Sequence, residues 1–346
     1  MWQIVGQDRV VSRLQRSLAT GSLAHAYLLV GPCHVGKMTL ALNLAQALNC
    51  PSGEPPCGEC VSCRKIASLT HPDVQVIGLI QDEASSEAKE AKLISTGQIE
   101  QMQHSASLPP FEGECKVFII DGAELLSIEA ANRLLKTLEE PVGRVMFILL
   151  TINDRLLPAT VVSRCQRLEM VPVSPAEIEA ALTERGVEQP RAGLLSRLSH
   201  GCPGWALTAS SDESVLPKRD ESIERLGQLM AADTEKRFDY VARLANQFSQ
   251  NRSAVYEELD LWLDYWRDLM LVKLDCGDII SNVDRLDTLT GIAEGYPLAQ
   301  IKAFIDGIRA AGRQLRQNVN PRLALEVLML DMPGKGSGSA EHSAAR

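Results

Sequence analysis

Four short apolar runs in the first half of the chain have the pattern of strands buried on both faces. Tyr27-Leu28-Leu29-Val30 ends at Gly31, Val74-Gln75-Val76-Ile77 is the second, Lys116-Val117-Phe118-Ile119-Ile120 ends at Asp121, and Val145 to Thr151 is almost wholly apolar. Between the first two, Met38 to Asn49 sets Leu40, Leu44 and Leu48 on one face at helical spacing. Doubly buried strands separated by helical segments predict an α/β fold built on a parallel sheet.

Beyond residue 170 the pattern changes. Ser174 to Leu207 holds short helical segments broken by Gly186, Pro190, Gly201, Pro203 and Gly204, and a polar link, Ser210-Ser211-Asp212-Glu213-Ser214, follows. From Lys218 to Met332 the periodicity is helical almost throughout, and Leu261, Leu263, Tyr265, Trp266, Leu269 and Met270 form one dense amphipathic segment. The expected organisation is an α/β domain over 1–170, a small helical unit over 171–210, an all-helical domain over 218–331, and a disordered tail over 333–346, where Gly and Ser cannot build a core. Trp262 and Trp266 are expected in the helical core or at an interface between subunits, not at a cofactor.

Composition narrows the function. The formal net charge of −9 argues against gripping nucleic acid by bulk electrostatics, though it leaves room for local phosphate contacts. Arg9, Arg13 and Arg16 recur at helical spacing, and Arg133 and Lys136 share another face; a solvated basic face is the simpler reading, a phosphate backbone the other. No apolar run approaches the roughly 20 residues that span a bilayer. The opening residues lack a basic stretch followed by an apolar one, so a cytoplasmic protein without membrane contact is expected.

Gly31-Pro32-Cys33-His34-Val35-Gly36-Lys37 fits the first seven positions of a phosphate loop between strand and helix. In such loops backbone N–H groups and a helix N-terminus cradle phosphate oxygens, and the lysine adds a point charge. The eighth position needs a hydroxyl for Mg²⁺; here it is Met38, a poor ligand for a hard cation. Thr39 lies about 100° further round the helix and does not simply replace it. Asp121 stands at a strand end, where a carboxylate would hold the metal, but the residue after it is Gly122, which cannot accept a proton. Glu124, two positions further, is expected to be a solvated loop carboxylate. ATP or ADP could bind through Gly31, Gly36 and Lys37, with metal-assisted hydrolysis in doubt.

Cys50, Cys57, Cys60 and Cys63 crowd four thiols into fourteen residues shaped by Gly53, Pro55, Pro56 and Gly58. Cytosolic thiols stay reduced, so a metal explains the cluster better than disulfides do. Four thiolates suit a closed, structural tetrahedral Zn²⁺ site; an iron–sulfur cluster or redox-active thiols are the alternatives. The other five cysteines are expected to be small buried or semi-buried residues.

Taken together these segments resemble bacterial DNA polymerase III clamp-loader subunits of the gamma/delta-prime group. Val5-Gly6-Gln7 resembles the segment bordering the adenine pocket, and His25-Ala26-Tyr27-Leu28-Leu29 runs into the phosphate loop as in that group. Glu129 to Pro141 resembles the long helix after the acidic strand, Leu150-Thr151-Ile152-Asn153 stands where sensor 1 belongs, and Ser163-Arg164-Cys165 is the group's SRC motif. Asn318 to Glu326 resembles its final collar helix. The similarity runs over residues 2–331 and implies an AAA+ sheet with a zinc module, a helical lid and a collar.

Within the group, Met38, Gly122 and Gly204, the last where a motor shows a sensor 2 arginine, together with His71-Pro72-Asp73-Val74, resemble the non-hydrolysing delta-prime branch. The resemblance implies that Arg164 reaches across to a neighbour's ATP as an arginine finger, a task suited to its planar charged fork. The implied partners are gamma/tau and delta subunits, a sliding clamp and, through the complex, primed DNA. A gamma-type ATP-hydrolysing motor is the alternative. Nothing suggests nucleotidyl transfer, since there is no paired-carboxylate site for two metal ions.

Overall fold

The computed structural model describes residues 2–79, 93–139, 143–317 and 319–334. Part of the expected tail and Glu140, Pro141 and Asn318 of the resembling segments lie outside them. The chain divides into two compact units, residues 1–185 with 201–206, and residues 186–200 with 207–346.

In the first unit five parallel strands lie in the order β2-β3-β4-β1-β5, with β1 Ala26–Val30, β2 Val74–Ile77, β3 Lys116–Asp121, β4 Val145–Thr151 and β5 Gln166–Glu169. Because side chains alternate across a strand, the sheet feeds two cores. Leu28, Ile120, Leu149, Phe118 and Phe147 pack on one face against α4 Thr96–Ala106, α5 Ile128–Glu139 and α6 Ala159–Val162. The two Phe rings stack with centroids 5.6 Å apart. Tyr27, Leu29, Ile119 and Ile148 pack on the other against α1 Asp8–Ala19, α2 Lys37–Asn49 and α3 Val61–Ala67. Doubly covered parallel strands explain why the three central runs, β3, β4 and β1, read as continuous apolar stretches; β2 departs from the expectation, an edge strand with Gln75 exposed. The fifth strand, β5, was not expected: only Leu168 of its four residues is buried, the polar signature of an edge.

α7 Pro175–Thr183 closes the first unit's main segment, its start fixed by a capping box between Ser174 and Glu177. The second unit is helical: α8 Gln189–Leu198, the later part of α9 Pro203–Ser211, then α10 Val215–Ala231, α11 Thr234–Gln250, α12 Arg252–Lys273, α13 Leu286–Glu294, α14 Leu298–Arg316 and α15 Pro321–Leu330. Trp262 and Trp266 are fully buried in its core, Trp266 packed on Phe304 at 4.7 Å between ring centroids. Leu261, Leu263 and Met270 only flank that core. The guanidinium of buried Arg237 donates to the carbonyls of Leu229, Met230, Met329 and Met332, satisfying helix-end oxygens of α10 and α15. No helix among the described residues is long and apolar enough to cross a membrane.

Candidate functional site

The phosphate loop leaves the carboxyl end of β1, the strand flanked by β4 and β5, where open α/β sheets form their ligand crevice. Gly31 is obligatory there, because a Cβ would stand 2.5 Å from the carbonyl oxygen of Met170. Gly36 adopts a left-handed φ of 104° and opens α2. Val35 is wholly buried and anchors the loop. Lys37 turns back on its own loop, Nζ donating to the carbonyls of Gly31 and Pro32 at 2.7 Å each. Burial pushes its pKa down, opposed by the charges of Cys33, Glu124 and Asp121.

The strap before α1 closes one side of this crevice. Gln3 N–H donates to Asn43 Oδ1 at 2.5 Å, Ile4 lies against Gly36, and Gln7 Nε2 donates to the Val171 carbonyl at 2.6 Å. Val5 sits between these fixed points. Met38 packs against the apolar layer around α1 and α2, whereas Thr39 is exposed. Asp121 is exposed at the end of β3. The Asn153 side chain accepts from Arg155 N–H at 3.0 Å and so caps the following short turn.

Glu124 corrects an expectation. It is half-buried and only partly solvated: Oε1 accepts a long 3.5 Å bond from Ile152 N–H, and Oε2 is buried without a partner among the described residues. No spacing announced this, because it arises where the turn after β3 meets the end of β4. Cys33 also departs from the expected burial and is exposed, while Cys115, Cys165, Cys202 and Cys276 are half-buried.

The residues 201–206 return to the same unit and abut the loop, Gly204 N–H donating to the His34 carbonyl at 2.8 Å. Arg164 follows α6, half-buried. Its Nη1 donates to the Thr160 carbonyl at 2.8 Å and its Nη2 pairs with Glu139 at the end of α5. Arg9, Arg13 and Arg16 are exposed, and Arg133 pairs with Glu100 at 2.8 Å.

The four cysteines converge. Cys50 ends α2, Cys57 and Cys60 lie in the knuckle, Cys63 is buried in α3, and all four sulfurs lie within 4.8 Å of one another. Cys57–Cys63 and Cys50–Cys60 sulfurs are 4.0 and 3.9 Å apart, near the roughly 3.8 Å edge of a tetrahedron with 2.3 Å metal–sulfur bonds. Backbone N–H groups of Cys60 and Cys63 point at the sulfurs of Cys57 and Cys60 at 3.3 Å. The Cys57 thiol is lowered to about 6 by backbone N–H donors, while burial pushes Cys63 up to about 12. The donor set fits a thiophilic metal ion.

Behind the knuckle, Gln46 Nε2 donates to the Cys63 carbonyl at 2.9 Å, and buried His71 lies 3.3 Å from Ser62 Oγ. Asp73 accepts three backbone N–H bonds, from Phe111 at 2.7 Å and from Glu112 and Gly113 at 2.8 Å each. This fixes a loop on which Phe111 is 83% exposed.

A parallel sheet with a phosphate-loop pattern after β1, a four-cysteine knuckle beyond α2 and a helical second unit fits the expected AAA+ architecture. Two family models match the chain, "DNA polymerase III, delta subunit" over residues 6–174 and "DNA polymerase III, delta subunit, C terminal" over residues 218–333. The chain belongs to the delta-prime and gamma/tau family of DNA polymerase III clamp-loader subunits. It is 29% identical to the DNA polymerase III subunit delta' of Bacillus subtilis over 325 residues, 94% of this chain and 95% of that one. It is 35% identical to the subunit tau of Escherichia coli, again over 94% of this chain, but spans only 52% of that relative's length. A gamma subunit-related protein from Thermotoga maritima superposes over 92% of this chain and 97% of its own, at 18% identity and a TM-score of 0.42.

Proposed function

We propose that this chain is a delta-prime-type stator of the clamp loader, bracing a neighbouring ATPase while the complex loads a sliding clamp onto primed DNA. The observation that carries this reading is a selective loss. Met38 removes the hydroxyl that ligates Mg²⁺ and Gly122 removes the carboxylate that handles water, yet Arg164 is retained at the surface. A site stripped of metal and water handling cannot run its own hydrolysis, whereas a guanidinium still serves a neighbour. Any ATP or ADP held by Val5, Gly31, Gly36, Lys37, Met38, Thr39, Asp121 and Asn153 would be bound weakly or left intact.

The partners are gamma/tau and delta subunits in the cytoplasm. Exposed Leu323, Val327 and Leu330 recur at i, i+4 and i+7 along α15, an apolar stripe suited to a neighbouring collar helix. The four thiolates hold a structural Zn²⁺, whose closed shell leaves no position for substrate.

The gamma/tau-type motor is the second reading, favoured by 35% identity to the Escherichia coli tau against 29% to the Bacillus subtilis delta'. One experiment separates them. The isolated chain should show no Mg²⁺-dependent ATPase, and Arg164→Ala should cut the ATPase of the complex reconstituted with motor and delta subunits. Turnover by the isolated chain, abolished by Lys37→Ala, would establish the motor instead.

A further inference from the structure

The buried oxygen of Glu124 faces a question of charge. β4 lies between β3 and β1, so the bond from Ile152 N–H, just past β4, draws the Glu124 carboxylate across the sheet's carboxyl edge toward the phosphate loop. Its Oε2 is shielded from water and has no hydrogen-bond partner among the described residues. A carboxylate left in that state is costly unless a cation balances it. A cation on the same edge is Lys37, whose ammonium has three protons and donates two, to Gly31 and Pro32.

We propose that Glu124 is a built-in counter-anion of Lys37, doing from within the chain what a nucleotide phosphate does in a working loop, and that it sets the low nucleotide affinity of this pocket. The inference rests on the stator reading and deepens it. The lost hydroxyl and the missing carboxylate explain why hydrolysis fails; neither explains why nucleotide should stay out, since backbone amides and Lys37 alone still attract phosphate. A negative charge held beside the loop does. An incoming phosphate must then compete with the Glu124 charge for that of Lys37, so the ammonium offers it less. Burial of Lys37 lowers its pKa, and the charges of Cys33, Glu124, Asp121 and Cys202 oppose that fall, so the Glu124 charge is felt at Lys37.

The test uses the full chain with its metal and a fluorescent ADP as probe, without Mg²⁺. Glu124→Gln keeps the shape and the acceptor for Ile152 N–H but removes the charge. It should bind ADP about tenfold more tightly than the parent, a difference of about 1.4 kcal/mol. Glu124→Ala should move in the same direction and serves if the glutamine variant folds poorly. In a Lys37→Met background the gain should vanish, because the two charges act as a pair. Equal or weaker ADP binding by the charge-free variants, absence of measurable binding in all of them, or a gain that persists without Lys37 overturns the proposal. An ATPase in the parent chain would sink the stator reading by a separate measurement, while the affinity ratio still decides the role of Glu124.

Discussion

Gly204 donates its backbone N–H to the carbonyl oxygen of His34 at 2.8 Å, joining the start of α9 to the phosphate loop. A Cβ on Gly204 would stand 2.8 Å from that same oxygen and 3.4 Å from the His34 Cα, backbone atoms that cannot swing aside. Restoring an arginine here would therefore not restore a sensor. Gly204→Arg and Gly204→Ala should each lower stability by about 1–3 kcal/mol through overpacking. Chemical denaturation checks this; an unchanged midpoint for either variant would show that the loop yields freely.

Asp73 holds the loop of Phe111 through three N–H bonds and is itself 2% exposed. Burial opposes its ionisation, but the backbone donors outweigh it and its pKa is lowered below 3.8. A lowered carboxylate contributes stability above the unfolded value and loses it as pH falls through the folded one. Asp73→Asn turns an amide toward donors that need an acceptor and should cost about 1.5–3 kcal/mol at neutral pH. The difference from the parent should shrink in denaturation curves taken below pH 4.

Elemental analysis of the purified chain should find one zinc per molecule, and none after Cys60→Ser with Cys63→Ser. Thiolate ligands compete with protons, so the metal should be lost on acidification and regained on neutralisation. The parallel sheet has its own two apolar cores and should survive the loss. Hydrogen exchange should accelerate around residues 50–67 and spare β3 and β4. Uniform acceleration through the sheet would mean that the metal holds up the whole unit.

Legibility in the sequence followed burial and spacing. β1, β3 and β4 are covered on both faces, so their apolar runs had no other reading, whereas β5 hides a single leucine and gave no signal. The four cysteines were readable because ligand chemistry constrains spacing, and Met38 because it replaces a hydroxyl. What stayed hidden depends on approach between distant segments. The meeting of Gly204 with His34, the burial of one Glu124 oxygen and the pairing of Arg164 with Glu139 are products of tertiary packing that no local pattern encodes.

The pairing of Arg164 with Glu139 places the proposed finger in a surface ion pair, the guanidinium 33% and the carboxylate 50% exposed. Pairs so open to water contribute little, so Arg164→Ala should change the stability of the isolated chain by under about 0.5 kcal/mol. In the assembled loader the same change should lower ATPase by about 10³-fold, the lower end of what a finger in trans supplies. Arg164→Lys should not rescue it, since an ammonium lacks the planar fork. A stability loss matching the loss of activity would assign Arg164 a structural role.

His200 gives the second unit a pH dependence of opposite sign to that of Asp73. Its Nε2 lies 2.8 Å from Asp264 Oδ2 and its Nδ1 3.4 Å from Ser281 Oγ. The Asp264 hydrogen bond raises its pKa above 6.5, against burial and the Arg267 charge and with help from Asp264 and Asp268. A raised imidazole contributes stability in full below the unfolded value and loses it as pH rises through the folded one. The parent should therefore exceed His200→Gln in stability by more at pH 6 than at pH 8. The His200 ring resonances should titrate above 6.5, and Asp264→Asn should bring the midpoint down. A midpoint at or below 6.5 in the parent would show that burial and Arg267 prevail over the carboxylate.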